Sequence, residues 1–174
     1  MTQPDAGTGS PDADADARAL ASTLRLRILR LCLDEGLTNR EIAQRLDRHP
    51  ATVLHHVRTL VARGFLVAEP VRRGTRGARE VPYRATRKSW RTRPGPGQSR
   101  ILIDTFLEEV ALADPAQVQI SRLGLRLGAA DLEELTTRVH AVLEDFATRP
   151  ADPDGTPYSV FWALHEDATR RAGR

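Results

Sequence analysis

Two short stretches of this 174-residue chain gather side chains that can bind phosphate or hydrogen-bond to a base edge. Residues 52–58, TVLHHVR, offer a hydroxyl, two imidazoles and a guanidinium. Residues 72–79, RRGTRGAR, hold four arginines within eight positions. Guanidinium groups clustered so closely repel one another unless an anion neutralises them, so the chemistry that both stretches favour is nucleic-acid binding.

The pattern before and within the first stretch predicts the helices that would present it. Thr38 and Glu41 have the spacing of a capping box, which starts a helix near residue 39. Pro50 suits the first turn of a following helix, with His49 at its cap position. The apolar stripe of that helix, which turns the polar side chains outward, consists of Val53, Val57, Leu60 and Val61. Two helices joined by a turn of about three or four residues are typical of the helix-turn-helix, whose second helix enters the major groove.

A further helix and a β-hairpin are predicted on either side of this pair. Apolar residues recur at helical spacing over 16–35, and Gly36 follows as a stop. Residues 65–71, FLVAEPV, and 80–86, EVPYRAT, have the composition of two strands. The basic turn between them would then form the tip of a hairpin, over phosphates or in the minor groove.

The string ATVLHHVRTLVARGFLV, residues 51–67, resembles the recognition helix and following strand of ArsR-type winged helix-turn-helix regulators. The resemblance covers about residues 16–88 and implies a winged helix that binds DNA. Pro50, Ala51 and Leu54 depart from the Gln or Ser common in the family, and they can offer a thymine methyl only apolar contact. The candidate DNA-binding residues are Thr38, Arg40, His49, Thr52, His55, His56, Arg58, Arg72, Arg73, Arg76 and Arg79.

The charge distribution agrees with a polyanion partner. The net charge is only +3, but residues 18–93 carry 18 Lys and Arg against six acidic residues. Residues 1–17 carry four acids and no base, and residues 94–174 carry thirteen acids against eight bases. One basic segment between acidic ones is the electrostatic footprint of a nucleic-acid binder.

The second half predicts further elements. A linker over 89–100 contains PGPG, and a helix is expected at 101–114. Alternating apolar residues then predict a strand over 118–127, helical spacing predicts a helix over 129–149, and a second alternating run predicts a strand near 158–166. This strand-helix-strand unit resembles a C-terminal region attached to some ArsR-like regulators. Its aromatic residues fit a plain core or a ligand pocket, and both interpretations stay open.

The predicted fold class is therefore α+β, a winged helix-turn-helix followed by a helix and a strand-helix-strand unit. We expect a disordered acidic tail at 1–14, the DNA-binding domain at 15–88, the linker at 89–100, and a dimerisation or effector region at 101–174. No apolar run approaches the ~18 residues of a membrane span, and the acidic start lacks the features of a secretory signal. The sequence thus predicts a cytoplasmic protein without membrane partners.

Other chemistries find little support in the sequence. There is no Gly-flanked serine nucleophile, no glycine-rich phosphate loop and no histidine with a matched Cys or Ser, so we expect no enzyme activity. Cys32 is the single cysteine, which excludes an intrachain disulfide and indicates a buried structural thiol. His140 with Glu144, and His165 with its acidic neighbours, are too sparse for a transition-metal sensor. No metal or cofactor is expected.

These observations predict a homodimeric transcription regulator, most simply a repressor, that binds double-stranded DNA. A small-molecule effector is a further candidate partner, and the sequence leaves its existence open. The long apolar helices at 16–35 and 101–114 are the candidates for the dimer interface. The alternative is a winged helix that serves only protein contact, without sequence-specific DNA binding. Salt dependence of binding to random duplex distinguishes the two, because only a phosphate binder shows it.

Overall fold

The chain divides after Leu112 into two units, Met1–Leu112 and Ala113–Arg174. The computed structural model describes residues 10–74, 77–92, 94–95 and 97–171. The first unit contains, in chain order, α1 (Pro11–Leu20), α2 (Thr23–Leu31), β1 (Leu37–Thr38), α3 (Asn39–Arg45), α4 (Pro50–Ala62), β2 (Leu66–Ala68), β3 (Arg72–Arg73), β4 (Arg79–Glu80), β5 (Pro82–Ala85), α5 (Lys88–Arg91) and α6 (Gln98–Val110). The second unit contains a 3-10 turn (Pro115–Gln117), α7 (Ala129–Thr148) and α8 (Ala168–Arg171).

The core of the first unit lies where α2, α3 and α4 meet the small sheet. Ile28, Ile42 and Leu60 are fully buried there, and Phe65 closes it at the end of α4. Burying an aliphatic or aromatic side chain of this size stabilises the fold by about 1.5–3 kcal/mol. The predicted inward stripe of α4 is confirmed at Val53, Val57 and Leu60, whereas Val61 is 37% exposed.

The region before the helix-turn-helix folds as two helices rather than the single one predicted over 16–35. The break falls at Ala21 and Ser22, because the Ser22 hydroxyl accepts the N–H of Arg25 and starts α2 as its N-cap. The preceding helix begins at Pro11, so residues 11–14 of the predicted tail are helical. Proline in the first turn with acidic residues beside it favours a helix start. Residues 1–9 of that tail lie outside the described residues.

The sheet of the first unit is antiparallel, with strand order β1-β5-β2. The predicted strands on the two sides of the basic turn pair with each other, with Leu66 opposite Ala85. Beyond them β3 and β4 form a separate two-residue ladder, in which Arg72 lies opposite Glu80 and Arg73 opposite Arg79. This hairpin is the wing of a winged helix-turn-helix, and the α+β fold class is as predicted. Strand β1 was not predicted, because two residues carry no periodic signal.

The boundary between the units differs from the predicted linker at 89–100. Helix α6 begins after Gly97, whose φ of +78° lies in the left-handed region that favours glycine, and it packs on α2. Arg27 pairs with Glu108 at 2.7 Å, and the buried Thr105 hydroxyl lies 3.4 Å from that of Thr23. Residues 101–112 therefore belong to the winged-helix unit.

The second unit has the predicted long helix α7 but not the two predicted strands. The described residues of 118–127 and 158–166 are in no regular strand. Alternation provides two faces, but a strand also needs a paired backbone, and neither segment finds one in this unit. Their apolar side chains stay exposed, as at Leu123 (78%) and Tyr158 (84%). Among the described residues, every helix is too short or too polar to span a bilayer.

Candidate nucleic-acid interface

The start of α3 is built by the predicted capping box. The Thr38 hydroxyl accepts the N–H of Glu41 at 3.2 Å, and Glu41 Oε2 accepts the N–H of Thr38 at 2.7 Å. Thr38 is only 5% exposed and its hydroxyl is engaged in the cap. Its side chain therefore has a local structural role, in contrast to its neighbour Arg40, which is exposed on the first turn of α3.

The turn that leads into α4 is fixed by two side-chain hydrogen bonds. Asn39 Nδ2 donates to the carbonyl of Pro50 at 3.0 Å and so joins the first turns of α3 and α4. His49 caps α4, because its Nδ1 accepts the N–H of Ala51 at 3.2 Å. This cap uses one ring nitrogen of His49, an exposed residue, and the other has no hydrogen-bond partner among the described residues. Asn39 was not among the predicted residues, because nothing in its spacing indicates a partner eleven positions away.

The outward face of α4 carries three of the predicted residues. Thr52, His55 and Arg58 are all exposed and follow one another at three-residue spacing, so they share one side of the helix. The burial of Val53 and Val57 on the other side sets this orientation. The Arg58 guanidinium has no hydrogen-bond or ion-pair partner among the described residues.

His56 differs from its neighbour on the same helix. Its ring is half-buried, lies edge-on to that of His55 at 5.5 Å, and faces the Arg25 guanidinium of α2. The Arg25 Nη1 to His56 Nδ1 distance is 3.4 Å. Burial lowers the pKa of His56 below its ordinary value, and the charges of Arg25 and His55 act in the same direction.

Arg72, at the base of the wing, is bound within the protein. Its Nη2 lies 2.6 and 2.8 Å from the two carboxylate oxygens of Glu41, and its Nε lies 4.0 Å from Glu80. The backbone N–H of Thr38 holds the pKa of Glu41 below its ordinary value, and Arg72 adds to this effect. Arg72 therefore ties β3 to the start of α3.

Arg73 and Arg79 form the other cross-strand pair of the β3–β4 ladder, and no carboxylate among the described residues neutralises their charge. They lie directly opposite each other, both are exposed, and neither side chain has a partner among the described residues. Like charges directly opposite in an antiparallel ladder are destabilising. Arg76, the fourth arginine predicted for the wing, lies outside the described residues.

Two side-chain contacts join α3, α4 and the wing. Asn39 joins the start of α3 to the start of α4, and Glu41 joins the same turn of α3 to the wing through Arg72. Four exposed guanidinium groups without a partner among the described residues lie on these elements, at Arg40, Arg58, Arg73 and Arg79. Several other arginines of the unit are paired with carboxylates, at Arg27, Arg30, Arg45, Arg63 and Arg84. Among the described residues, Arg48 donates only to the backbone carbonyl of Asp47, and Arg18 on α1 is exposed without a side-chain partner.

A buried ion cluster missed by the sequence prediction holds α1 against the end of α4. Asp16, 8% exposed, accepts from Arg63 Nε at 2.7 Å and pairs with Lys88. Burial opposes ionisation of Asp16, but the hydrogen bonds from Lys88 and Arg63 outweigh it and lower its pKa. Since Arg63 is the C-cap residue of α4, the cluster fixes that end of the helix.

A reactive thiol, a cluster of metal-binding side chains or a cavity would be other kinds of functional site. Cys32 is fully buried, and burial raises the pKa of its thiol to about 12, in agreement with the predicted structural thiol. Within the described part of the chain, no three metal-binding side chains cluster. An open cleft of about 320 Å³ in the first unit is lined by Thr23, Leu24, Arg27, Leu46, Arg48 and Glu108.

Comparisons with known proteins found one family model and several solved structures. Residues 17–59 match a family described as a helix-turn-helix domain. Among solved structures, reduced HlyU from Vibrio cholerae is similar with 20% identity over 59% of this chain and 90% of its own, at a TM-score of 0.38. NolR from Sinorhizobium fredii is similar with 20% identity over 65% of this chain and 100% of its own, at a TM-score of 0.37.

A third similar structure is the homodimeric winged helix-turn-helix DNA-binding domain of Mb0332 from Mycobacterium bovis, a possible ArsR-family transcriptional regulator. It is 22% identical over 62% of this chain and 94% of its own, at a TM-score of 0.38. No curated protein matches the chain.

Proposed function

We propose that this protein is a DNA-binding transcription regulator of the winged-helix type, resembling the ArsR-type repressors. The observation that carries the proposal is the set of four exposed guanidinium groups at Arg40, Arg58, Arg73 and Arg79. They lie on α3, α4 and the wing, the elements that contact DNA in this fold, and have no acceptor among the described residues. The phosphate oxygens of a DNA backbone can accept the hydrogen bonds for which these arginines have no acceptor among the described residues.

The side chains divide by the contact each can make. On α4, Thr52, His55 and Arg58 are the candidates for base edges, because they share the exposed face of the helix proposed for the major groove. Arg40, with Arg73 and Arg79 of the wing, would bind phosphate or the minor groove, as would Arg76. Arg72 would instead hold the wing in place, since Glu41 already binds it.

The test of this proposal is the salt dependence of binding to random duplex. The double variant Arg73→Ala with Arg79→Ala should flatten the slope of log K against log salt by about 0.9 for each phosphate that the variant no longer binds. Arg45→Ala is the matched control, because Arg45 is an exposed arginine already paired with Glu35 at 2.7 Å. An unchanged slope in the double variant would remove the wing from the interface. Binding that is independent of salt throughout would favour the alternative, a winged helix used for protein contact.

We further propose that the protein acts as a cytoplasmic homodimer. One winged helix offers few base contacts, whereas two related by a two-fold axis reach half-sites about 34–36 Å apart. The sequence favours the helices at 16–35 and 101–114 for the dimer interface, but α2 and α6 pack on each other within the first unit. We therefore propose residues 113–171 as the dimerisation or effector region, because apolar side chains such as Ile120, Leu123 and Val160 are 74–79% exposed in the isolated chain. Exposed apolar surface of this kind marks contact sites. Repression, and control by a small-molecule effector, are part of the same proposal.

A further inference from the structure

Arg25 joins three parts of the winged helix through one guanidinium group. Its Nε donates to the carbonyl of Ala19, its Nη2 donates to that of Arg18 at 3.0 Å, and its Nη1 lies 3.4 Å from His56 Nδ1. The two carbonyls belong to the last turn of α1, which the Asp16 cluster holds in turn against the end of α4. The group that faces His56 is therefore anchored by backbone acceptors and has little freedom to turn away.

The chemistry of this contact decides where the proton of His56 lies. A guanidinium group can only donate hydrogen bonds, so a hydrogen bond at this 3.4 Å contact requires His56 Nδ1 to accept, which places the proton of the neutral ring on Nε2. A second proton would put an N–H⁺ on Nδ1 against the Arg25 cation at 3.4 Å. The charged groups that act on the ring are Arg25 from α2 and His55 from α4, and neither favours the charged form of His56. His56 Nε2 has no hydrogen-bond partner among the described residues.

We propose that Arg25 is a positioning residue that holds His56 as the neutral Nε2–H tautomer, so that His56 presents DNA with one hydrogen-bond donor and no charge. The DNA part of this inference rests on the proposed function. A single donor suits acceptors such as guanine O6 and N7, adenine N7 or a phosphate oxygen, and it is mismatched to the cytosine amino group. The two adjacent histidines of α4 would then have different roles. The sequence does not distinguish them, because both are histidine; the contact with Arg25 does.

The first measurement needs no DNA. In the full-length ¹⁵N-labelled chain, two-bond ¹H–¹⁵N correlations distinguish the Nε2–H, Nδ1–H and doubly protonated states of each imidazole, with His56→Gln used to assign the signals. At pH 7.5 we expect Nε2–H for His56. Arg25→Gln should shift the protonation midpoint of His56 to higher pH, and Arg25→Lys should shift it less, because the ammonium keeps the charge. Arg27→Gln, two positions along α2, is the control and should leave it unchanged. An Nδ1–H or doubly protonated His56 in the wild-type chain overturns the proposal.

The second measurement uses operator duplexes selected from random sequence by the wild-type chain, each with one base pair then changed. Arg25→Gln should reduce discrimination at one position by about three- to tenfold, the range of a single hydrogen bond, while binding to random duplex changes little. Unchanged discrimination beside the expected tautomer would overturn the role of His56 in recognition. A chain that has the expected tautomer but binds no DNA would overturn the proposed function. The proposal that Arg25 keeps His56 in the neutral Nε2–H form would still be supported. Circular dichroism of each variant checks that the fold persists.

Discussion

The two units of this protein handle apolar side chains in opposite ways. All fifteen buried hydrophobic residues identified among the described residues belong to the first unit, where α2, α3, α4 and the sheet converge. Residues 113–171 are similarly supplied with leucine, valine and aromatic side chains, yet none of them is buried. The difference teaches that apolar composition does not build a core by itself. Several elements must present faces to one another, and the second unit has one long helix flanked mainly by irregular segments.

The same contrast bears on function. Every candidate DNA-binding residue lies in the first unit, and the contacts that position them, such as Asn39 with Pro50 and Glu41 with Arg72, also lie within it. The first unit therefore has its own core and its own candidate interface. The second unit offers exposed apolar surface, which is what a self-association or effector region requires.

The largest effect should come from a cavity in the first unit. Leu60→Ala should lower the free energy of unfolding by about 2–5 kcal/mol, because Leu60 is fully buried and the surrounding helices can relax only in part. Phe146→Ala in α7 is the counterpart, and as a 62% exposed side chain it should change stability by less than about 0.5 kcal/mol. Urea unfolding measures both. Similar losses in the two variants would mean that Phe146 is buried in solution, by another copy or another part of the chain.

Removing the second unit should separate folding from assembly. A chain ending at Leu112 should unfold cooperatively, since it keeps the whole core, but it should be monomeric by light scattering. Its affinity for an operator with two half-sites should fall on the order of a hundredfold. In a dimer, binding of one subunit holds the other at high effective concentration near the second half-site, and a monomer lacks this effect. A truncated chain that stays dimeric and binds the operator as tightly as the full chain would contradict the role given to residues 113–171.

Arginines from the two units should differ in their effect on DNA binding. Arg58→Ala should cost about 1–3 kcal/mol at the preferred site if its guanidinium contacts a base edge, with a smaller loss on random duplex. Arg138→Ala, which removes an exposed arginine paired with Glu134 in α7, is the control and should leave both affinities unchanged. Fluorescence anisotropy on matched duplexes is the measurement. Equal losses on specific and random DNA would assign Arg58 to phosphate instead.

The smallest effect concerns the tie between α3 and the wing. The pKa of Glu41 is depressed in the folded chain, so its contribution to stability is present above its ordinary value of 4.5 and is lost as the pH falls below it. Glu41→Gln should therefore lower stability at neutral pH, and the difference from wild type should shrink on acidification. The ion pair with Arg72 is solvent-exposed, so its own contribution is below about 1 kcal/mol.

A matched control keeps this last prediction specific. Glu134→Gln breaks an exposed i,i+4 pair with Arg138 in α7 and should leave the pH dependence of unfolding as it is in the wild type. Thermal melts between pH 3.5 and 7.5 compare the three proteins. A gap between wild type and Glu41→Gln that does not narrow between neutral and acidic pH would show that the carboxylate charge is not what ties the wing to α3.

Patterns that act over three or four residues were sufficient to predict the centre of the fold. The capping box at Thr38 and Glu41, and the division of α4 into an inward valine and leucine stripe and an outward polar face, follow from the periodicity of a helix. The paired strands of the hairpin follow in the same way from alternation and turn residues. Local chemistry determines these features because each is satisfied by neighbours in the chain.

Only the tertiary structure decided which side chains have partners. Arg72 and Arg73 are adjacent in the sequence, yet Glu41, 31 positions away, binds the first and nothing among the described residues binds the second. Arg25 distinguishes His56 from His55 across the same separation. Likewise, packing against α2 assigned α6 to the first unit, and the lack of a paired backbone left the predicted strands of the second unit unformed. A periodic pattern specifies the face on which a residue lies, but the group opposite that face comes from a distant segment that the pattern does not identify.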